Sequence, residues 1–289
     1  MLPKKILEEK IRRFLEEDLG QGDITTLLTV PEGTIVEAEV VTKEAGVIAG
    51  IEEALTLLES FGLQASAPVS DGAEVEGKTT LLKIVGDART MLSVERTLLN
   101  LLARMSGIAT STNRSVEKIR SAGHKARIAC TRKVAPGLLY FDKKAVMLGG
   151  GDTHRLHLDD LILIKDNHLA VAGNVSGAVK KVRKAVSFSK KIEVEVSTVN
   201  QALEAAEAGA DIIMLDNFSP QQVKEAIAIL KEKGFRDKVL TEASGGINER
   251  NILEFAAAGA DILSLGEITD SAKALDISLE VAKVKKTKS

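Results

Sequence analysis

Along the first hundred residues the spacing of apolar positions changes from helical to alternating and back. Residues 3–18 carry apolar side chains at helical intervals, and the turn-rich EDLGQGDITT follows. TIVEAEVVTK (34–43) alternates like a half-buried strand, and IEEALTLLESFG (51–62) is an amphipathic helix closed by Gly62. TTLLKIVG (79–86) reads as another strand and ARTMLSVERTLLNLLARMSG (88–107) as a long apolar helix. This mixture predicts a sandwich domain over residues 1–106, one sheet covered by helices.

From about residue 107 the pattern becomes a strict alternation of strand and helix. Six apolar runs read as strands: ARIACT (126–131), LILIK (161–165), KIEVEV (191–196), DIIML (211–215), KVLTEA (238–243) and DILSL (261–265). A weak internal repeat supports this, because EAAEAGADIIMLDN and EFAAAGADILSLGE share one order of helix, glycine, Ala-Asp and strand. Repeated βα units build a parallel sheet. It can curl into a barrel or lie open as a doubly wound layer. The barrel is favoured by where the polar residues fall, and the expected catalytic domain is 107–269.

Ligands of βα folds bind at the C-terminal ends of the strands. Those ends carry Thr131, Arg132 and Lys133; Lys165, Asp166, Asn167 and His168; Glu193 and Glu195; Asp216 and Asn217; Glu242, Ser244, Gly245 and Gly246; and Gly266. In KIEVEV the aliphatic residues Ile192, Val194 and Val196 suit the helix-facing side, so Glu193 and Glu195 face inward, where carboxylates need cations or metal. Three glycines, 149–151, precede Asp152, Thr153, His154 and Arg155. His154, His157 and Asp160 could be spaced for zinc, but the adjacent Arg155 favours an anion. SGG (244–246) and Gly266 suit a phosphate site built from backbone N–H groups. Arg96 has no acidic neighbour three or four positions away, so it is either snorkelling or presented to a ligand or a second subunit. GAEVEGKT (72–79) fits the phosphate-loop pattern but is followed by a strand, so it is set aside.

Composition narrows the class. The 289 residues are 44% hydrophobic and 28% charged, with a net charge of −2, which offers no global field for nucleic acid. The single cysteine, Cys130, favours a reducing, cytoplasmic home. No apolar run approaches the roughly 18 residues needed to span a membrane. The acid-rich start reads as a docking helix instead of a signal, and the tail KVKKTKS as a solvated end.

EDLGQGDITT, ERTLLNLLARMSGIAT, TRKVAPGL, GGGDTHR, LIKDNH, EVEV, MLDNF, EASGGI and LDISL together resemble the type II phosphoribosyltransferases, specifically the quinolinate phosphoribosyltransferase family, over nearly the whole chain. The resemblance implies an N-terminal α/β sandwich, to which segment 270–289 returns, and an open six-stranded α/β barrel. It implies transfer of phosphoribosyl from phosphoribosyl pyrophosphate to quinolinate with decarboxylation. Arg96, Arg132, His154, Arg155 and Lys165 would form the quinolinate pocket, with Arg96 supplied by a partner subunit of a homodimer or larger assembly. Lys133, Glu195 and Asp216 would hold the ribose, the pyrophosphate and Mg²⁺, and Ser244, Gly245, Gly246 and Gly266 the 5′-phosphate. The chain departs from the family pattern at Thr153, at Val134 and Ala135, and at Glu267 and Asp270. Two alternatives stay open: a related enzyme for nicotinate or another acidic base, and a non-catalytic, transport-linked paralogue.

Overall fold

The computed structural model describes residues 2–285. They divide into two compact units: residues up to Ser111 together with those from Ala272 onward, and Thr112–Ser271. The sequence placed the boundaries at 106 and 270. The first observed division, at 111/112, falls inside one continuous helix, so no loop marks it; the second, at 271/272, falls in the loop that follows residue 270.

The first unit contains α1 (Lys4–Leu19), α2 (Ile24–Thr29), β1 (Ile35–Thr42), β2 (Gly46–Val47), α3 (Ile51–Ser60), β3 (Gln64–Ser66), β4 (Glu74–Val75), β5 (Thr80–Asp87) and the start of α4 (Ala88–Ser121). α1 buries Leu7, Ile11 and Leu15, a four-residue spacing that makes one apolar stripe, and packs on α3. β1 alternates as expected, with Val36, Ala38, Val40 and Thr42 buried. In 72–79, Lys78 lies in a turn with φ 68°, its N–H bonded to the Thr42 carbonyl at 2.7 Å, and β5 follows. No phosphate-loop helix forms there.

The second unit holds β6 (Arg127–Cys130), α5 (Leu139–Leu148), β7 (Ile162–Ile164), α6 (Asp166–Ala172), α7 (Val175–Ala185), β8 (Ile192–Val196), α8 (Val199–Ala208), β9 (Ile212–Asp216), α9 (Pro220–Glu232), β10 (Leu240–Ser244), α10 (Ile252–Ala258), β11 (Ile262–Leu265) and α11 (Glu267–Asp270). The chain then enters β12 (Ile277–Lys285) of the first unit, giving that unit the antiparallel order β12-β1-β5-β3. The tail is solvated, as expected, over its described residues, and these also extend a strand. Lys285 pairs with Ile35, and Glu37 holds Lys285 at 2.6 Å and Lys283 at 3.5 Å. Residues 286–289 of that segment lie outside the described residues.

The six parallel strands run β6-β11-β10-β9-β8-β7. A doubly wound sheet reverses direction at a switch point. Here the last five strands follow chain order and the first sits beyond the last, which is a ring opened between β6 and β7. Along the open edge of β6, Asp152 forms a short parallel bridge to Ala129, with its N–H on the Ile128 carbonyl at 2.7 Å.

The internal repeat has a physical basis at the opposite rim. Gly209 (φ 92°) and Gly259 (φ 98°) close α8 and α10 in the left-handed conformation. Two residues on, Asp211 accepts the Ile192 N–H at 2.7 Å and Arg183 at 2.6 Å, and Asp261 accepts the Thr241 N–H at 2.8 Å and Arg236 at 2.7 Å. Each aspartate thus stitches the start of one strand to its neighbour. Arg236 and the Thr241 donors hold the Asp261 carboxyl below its usual range, although burial pulls the other way and is the largest single influence.

Candidate active site

A cavity of about 530 Å³ opens at the C-terminal ends of the barrel strands. Arg132 and Lys133 after β6, His154 and Arg155, Lys165 after β7, Glu195 on β8, Asp216 on β9, Ser244, Gly245 and Gly246 after β10, and Gly266 after β11 all line it. Every sequence-derived site residue of the barrel is therefore present. Arg96 is exposed on α4 in the other unit and is not among the lining residues. Glu195, Met214 and Glu242 pair across β8, β9 and β10 at one level of the ring, which sets the two acids at the same height.

Among the described residues the side chains of Arg132, Lys133 and Arg155 have no ion-pair partner. Arg155 is only 8% exposed, yet among the described residues its guanidinium makes no hydrogen bond or ion pair. Burial and the charge of Arg132 push it down, while Glu193 and Asp160 oppose this. Lys165 is the exception, with its ammonium 3.3 Å from Glu195. Burial pushes the Glu195 carboxyl up, with Asp216 adding to the rise and Lys165 countering it. His168 accepts the Lys165 N–H at Nδ1 (2.9 Å) and so fixes the corner that presents Lys165.

Beside these lies a buried group of His154, Glu193 and Glu242. Both glutamates are 0% exposed. His154 Nε2 is 3.0 Å from Glu242 Oε2, as a hydrogen bond, and 3.3 Å from Glu193 Oε2, where the directions do not meet hydrogen-bond geometry. Ser264 donates to the other oxygen of Glu242. Burial opposes charge on His154 and the two acids favour it; the Arg155 N–H aimed at Nδ1 keeps that nitrogen unprotonated in this arrangement, and burial raises the Glu193 carboxyl, which keeps the proton instead. The zinc grouping does not form: His154 joins the two glutamates, whereas His157 and Asp160 sit in a separate exposed cluster. Asp160 there accepts the N–H groups of Leu156 and His157.

The glycine loops are shaped by close approach. Gly245 has φ 92°, and a Cβ there would fall 2.3 Å from Asn217 Oδ1 and 2.8 Å from its backbone nitrogen. At Gly266 a Cβ would sit 3.0 Å from Asp270. Of the unusual acids, Glu267 accepts the Glu249 N–H at 2.9 Å and Asp270 accepts the Ser271 hydroxyl at 2.6 Å, so both are committed to local structure.

Sequence reasoning missed Lys143. It lines the cavity at 1% exposure, and its ammonium donates to the Thr153 carbonyl. It stands in Asp-Lys-Lys on α5, and all three of those side chains are buried. A run of charge in a helix normally marks a solvated face, so no signal was available. Cys130, also buried in the lining, has its thiol pushed up by burial, with Lys143 opposing.

A barrel mouth that gathers unpaired cations, inward carboxylates and bare glycine loops defines an enzyme that holds two anionic reactants together. Comparison with known proteins makes this specific. Residues 23–106 match the quinolinate phosphoribosyl transferase N-terminal domain and residues 108–280 the C-terminal domain. The chain is 46% identical over 275 residues to the probable nicotinate-nucleotide pyrophosphorylase (carboxylating) of Methanothermobacter thermautotrophicus, covering 95% of this chain and 99% of that one. It is 36% identical to the human nicotinate-nucleotide pyrophosphorylase (carboxylating), covering 97% and 93%. The structure of the nicotinate-nucleotide pyrophosphorylase from Francisella tularensis superposes with a TM-score of 0.89 at 36% identity, over 99% of this chain and 98% of that one. The chain belongs to the quinolinate phosphoribosyltransferase family, and it is a phosphoribosyltransferase of quinolinate.

Proposed function

We propose that this cavity binds quinolinate and phosphoribosyl pyrophosphate side by side and forms nicotinate mononucleotide, pyrophosphate and CO₂. The observation that carries this is Arg155, a largely buried residue beside Arg132 whose guanidinium has no hydrogen-bond or ion-pair partner among the described residues. A dicarboxylate supplies the missing negative charge, and planar guanidinium forks match carboxylates in two-point contact. Arg132, Arg155 and Lys165 hold the pyridine carboxylates. The bare backbones of Ser244, Gly245, Gly246 and Gly266 cradle the 5′-phosphate, and Lys133 neutralises charge beside Gly266, whose position its Cδ approaches.

Glu195 and Asp216 offer oxygen donors close enough for the charge of Asp216 to push the Glu195 carboxyl up, a repulsion that a hard cation relieves. These residues fit Mg²⁺, which when bound would offset charge on the departing pyrophosphate. As the bond from the anomeric carbon to pyrophosphate breaks, the ring nitrogen forms the new bond from the opposite face. The adjacent carboxylate then leaves as CO₂, its bonding electrons drawn into the cationic ring, and the ring carbon takes a proton. The residues act by placement and electrostatics. Arg96, exposed on α4, is supplied by a second copy of the chain in a homodimer or larger assembly, and the single cysteine suits a cytoplasmic setting.

Incubation with quinolinate, phosphoribosyl pyrophosphate and Mg²⁺ should release CO₂ and nicotinate mononucleotide in equal amounts, with nicotinate a poor replacement. Equal turnover of nicotinate, or no CO₂, would refute the reading. For the assembly, mixing Arg96→Ala with Arg132→Ala chains should recover activity that neither variant has alone.

A further inference from the structure

His154 lines the cavity, yet neither of its ring nitrogens is free to meet a ligand. Nδ1 accepts the backbone N–H of Arg155 at 2.8 Å, so it carries no proton in this arrangement. Nε2 carries the proton and donates to Glu242 at 3.0 Å. The residue also has φ 52°, a left-handed conformation that side chains with a Cβ rarely adopt and that survives only where surrounding contacts over-determine it. Those contacts are present. Lys143 holds the Thr153 carbonyl, Asp152 Oδ1 accepts the His154 N–H at 2.8 Å, and Glu242 is itself fixed by Ser264. The chain just before Arg155 is therefore fastened residue by residue.

Arg155 needs this more than its neighbours do. Among the described residues its guanidinium has no acid within ion-pair distance and no hydrogen bond, so no direct contact at its far end sets its direction. Its aim is inherited from its backbone and packing. We infer that Glu242, fixed by Ser264, is a positioning residue: it clamps the His154 ring, the ring captures the Arg155 N–H, and the arginine is thereby aimed at a carboxylate of the pyridine substrate. His154 serves as the bracket between them. This rests on the reading that Arg155 binds quinolinate.

The test is a double-mutant cycle read by quinolinate and phosphoribosyl pyrophosphate affinities. Glu242→Ala should raise the quinolinate Kd about tenfold, the loss expected when a buried donor is left unpaired. Its phosphoribosyl pyrophosphate Kd should stay within about twofold. Glu242→Gln, whose amide oxygen can still accept from Nε2, should recover most of that loss. Added to Arg155→Met, Glu242→Ala should weaken quinolinate by less than about twofold more, because its effect runs through the arginine. Additive losses, equal loss of both substrates, or a Gln variant as poor as Ala would overturn the proposal. Should Glu242→Ala not fold, Ser264→Ala gives the same test with a smaller, quinolinate-only loss; no loss there counts against it. If Arg155→Met alone leaves quinolinate binding unchanged, the pocket assignment itself fails. If only Glu242→Ala is silent, the bracket alone fails.

Discussion

Replacing Arg155 by methionine removes a buried positive charge while keeping most of the side-chain stem. Because the guanidinium has no hydrogen-bond or ion-pair partner among the described residues, the exchange leaves no protein group stranded. Burial and Arg132 already disfavour the charge, so the free protein should melt at the same temperature or slightly higher. Glu193 loses a nearby cation, but burial already pushes its carboxyl toward the proton-bound form, which limits that penalty. With quinolinate the balance inverts. Charge-assisted hydrogen bonds contribute about 1.5–3 kcal/mol, so the quinolinate Kd should rise roughly 10- to 150-fold. Phosphoribosyl pyrophosphate, held by the glycine loops and the opposite strands, should bind nearly as before. Calorimetric titration with each substrate and a melting curve of the free variant measure all three quantities. A quinolinate Kd within about twofold of wild type would refute the pocket, and so would a melting temperature that falls together with both affinities.

Other substitutions separate stability from chemistry. Asp261→Asn should cost about 1–3 kcal/mol near neutral pH. Because the Asp261 carboxyl is held below its ordinary value of 3.8, the stabilisation is full above that pH and is lost as pH falls through the lower folded value. Denaturant melts of both proteins should converge in acid; a gap that stays constant with pH would contradict the ion-pair account. Gly245→Ala should weaken phosphoribosyl pyrophosphate binding and lower stability, since the new methyl would strike Asn217, whereas Gly234→Ala (φ 75°, no atom within 4 Å) should show backbone strain alone. Equal effects of the two alanines on substrate binding would dismiss the loop as a phosphate cradle. Glu195→Gln should raise the Mg²⁺ concentration needed for half-maximal turnover and leave quinolinate affinity unchanged; kinetics indifferent to the exchange would remove Glu195 from the site.

What the sequence revealed follows from how strongly each feature is written into side-chain pattern. The barrel strands were legible because buried parallel strands demand continuous apolar runs and their helices end on glycine, as at Gly209 and Gly259. Glu193 and Glu195 were legible as inward residues because alternation in a five-residue strand leaves them no other side. Strands of two or three residues, Gly46–Val47 and Gln64–Ser66, carry too little pattern to read and exist through pairing with distant partners. Lys283 and Lys285 looked like a solvated end because nothing local discloses Glu37 across the sheet. Lys143 was missed, and Glu242 was named at a strand end without a role, for a related reason: burial of a charged residue is decided by what packs over it, here the Thr153 carbonyl and the His154 ring.

The gap between β6 and β7 has a consequence for how such a pocket can exist. A ring closed by direct pairing of those two strands would use every donor and acceptor along the free side of β6. Left unclosed, that margin instead accepts Asp152, and two and three residues further on stand the histidine and arginine of the cavity. Incomplete closure thus creates the berth for the segment that selects the acidic ring, and it also shields an otherwise bare strand from pairing with another molecule.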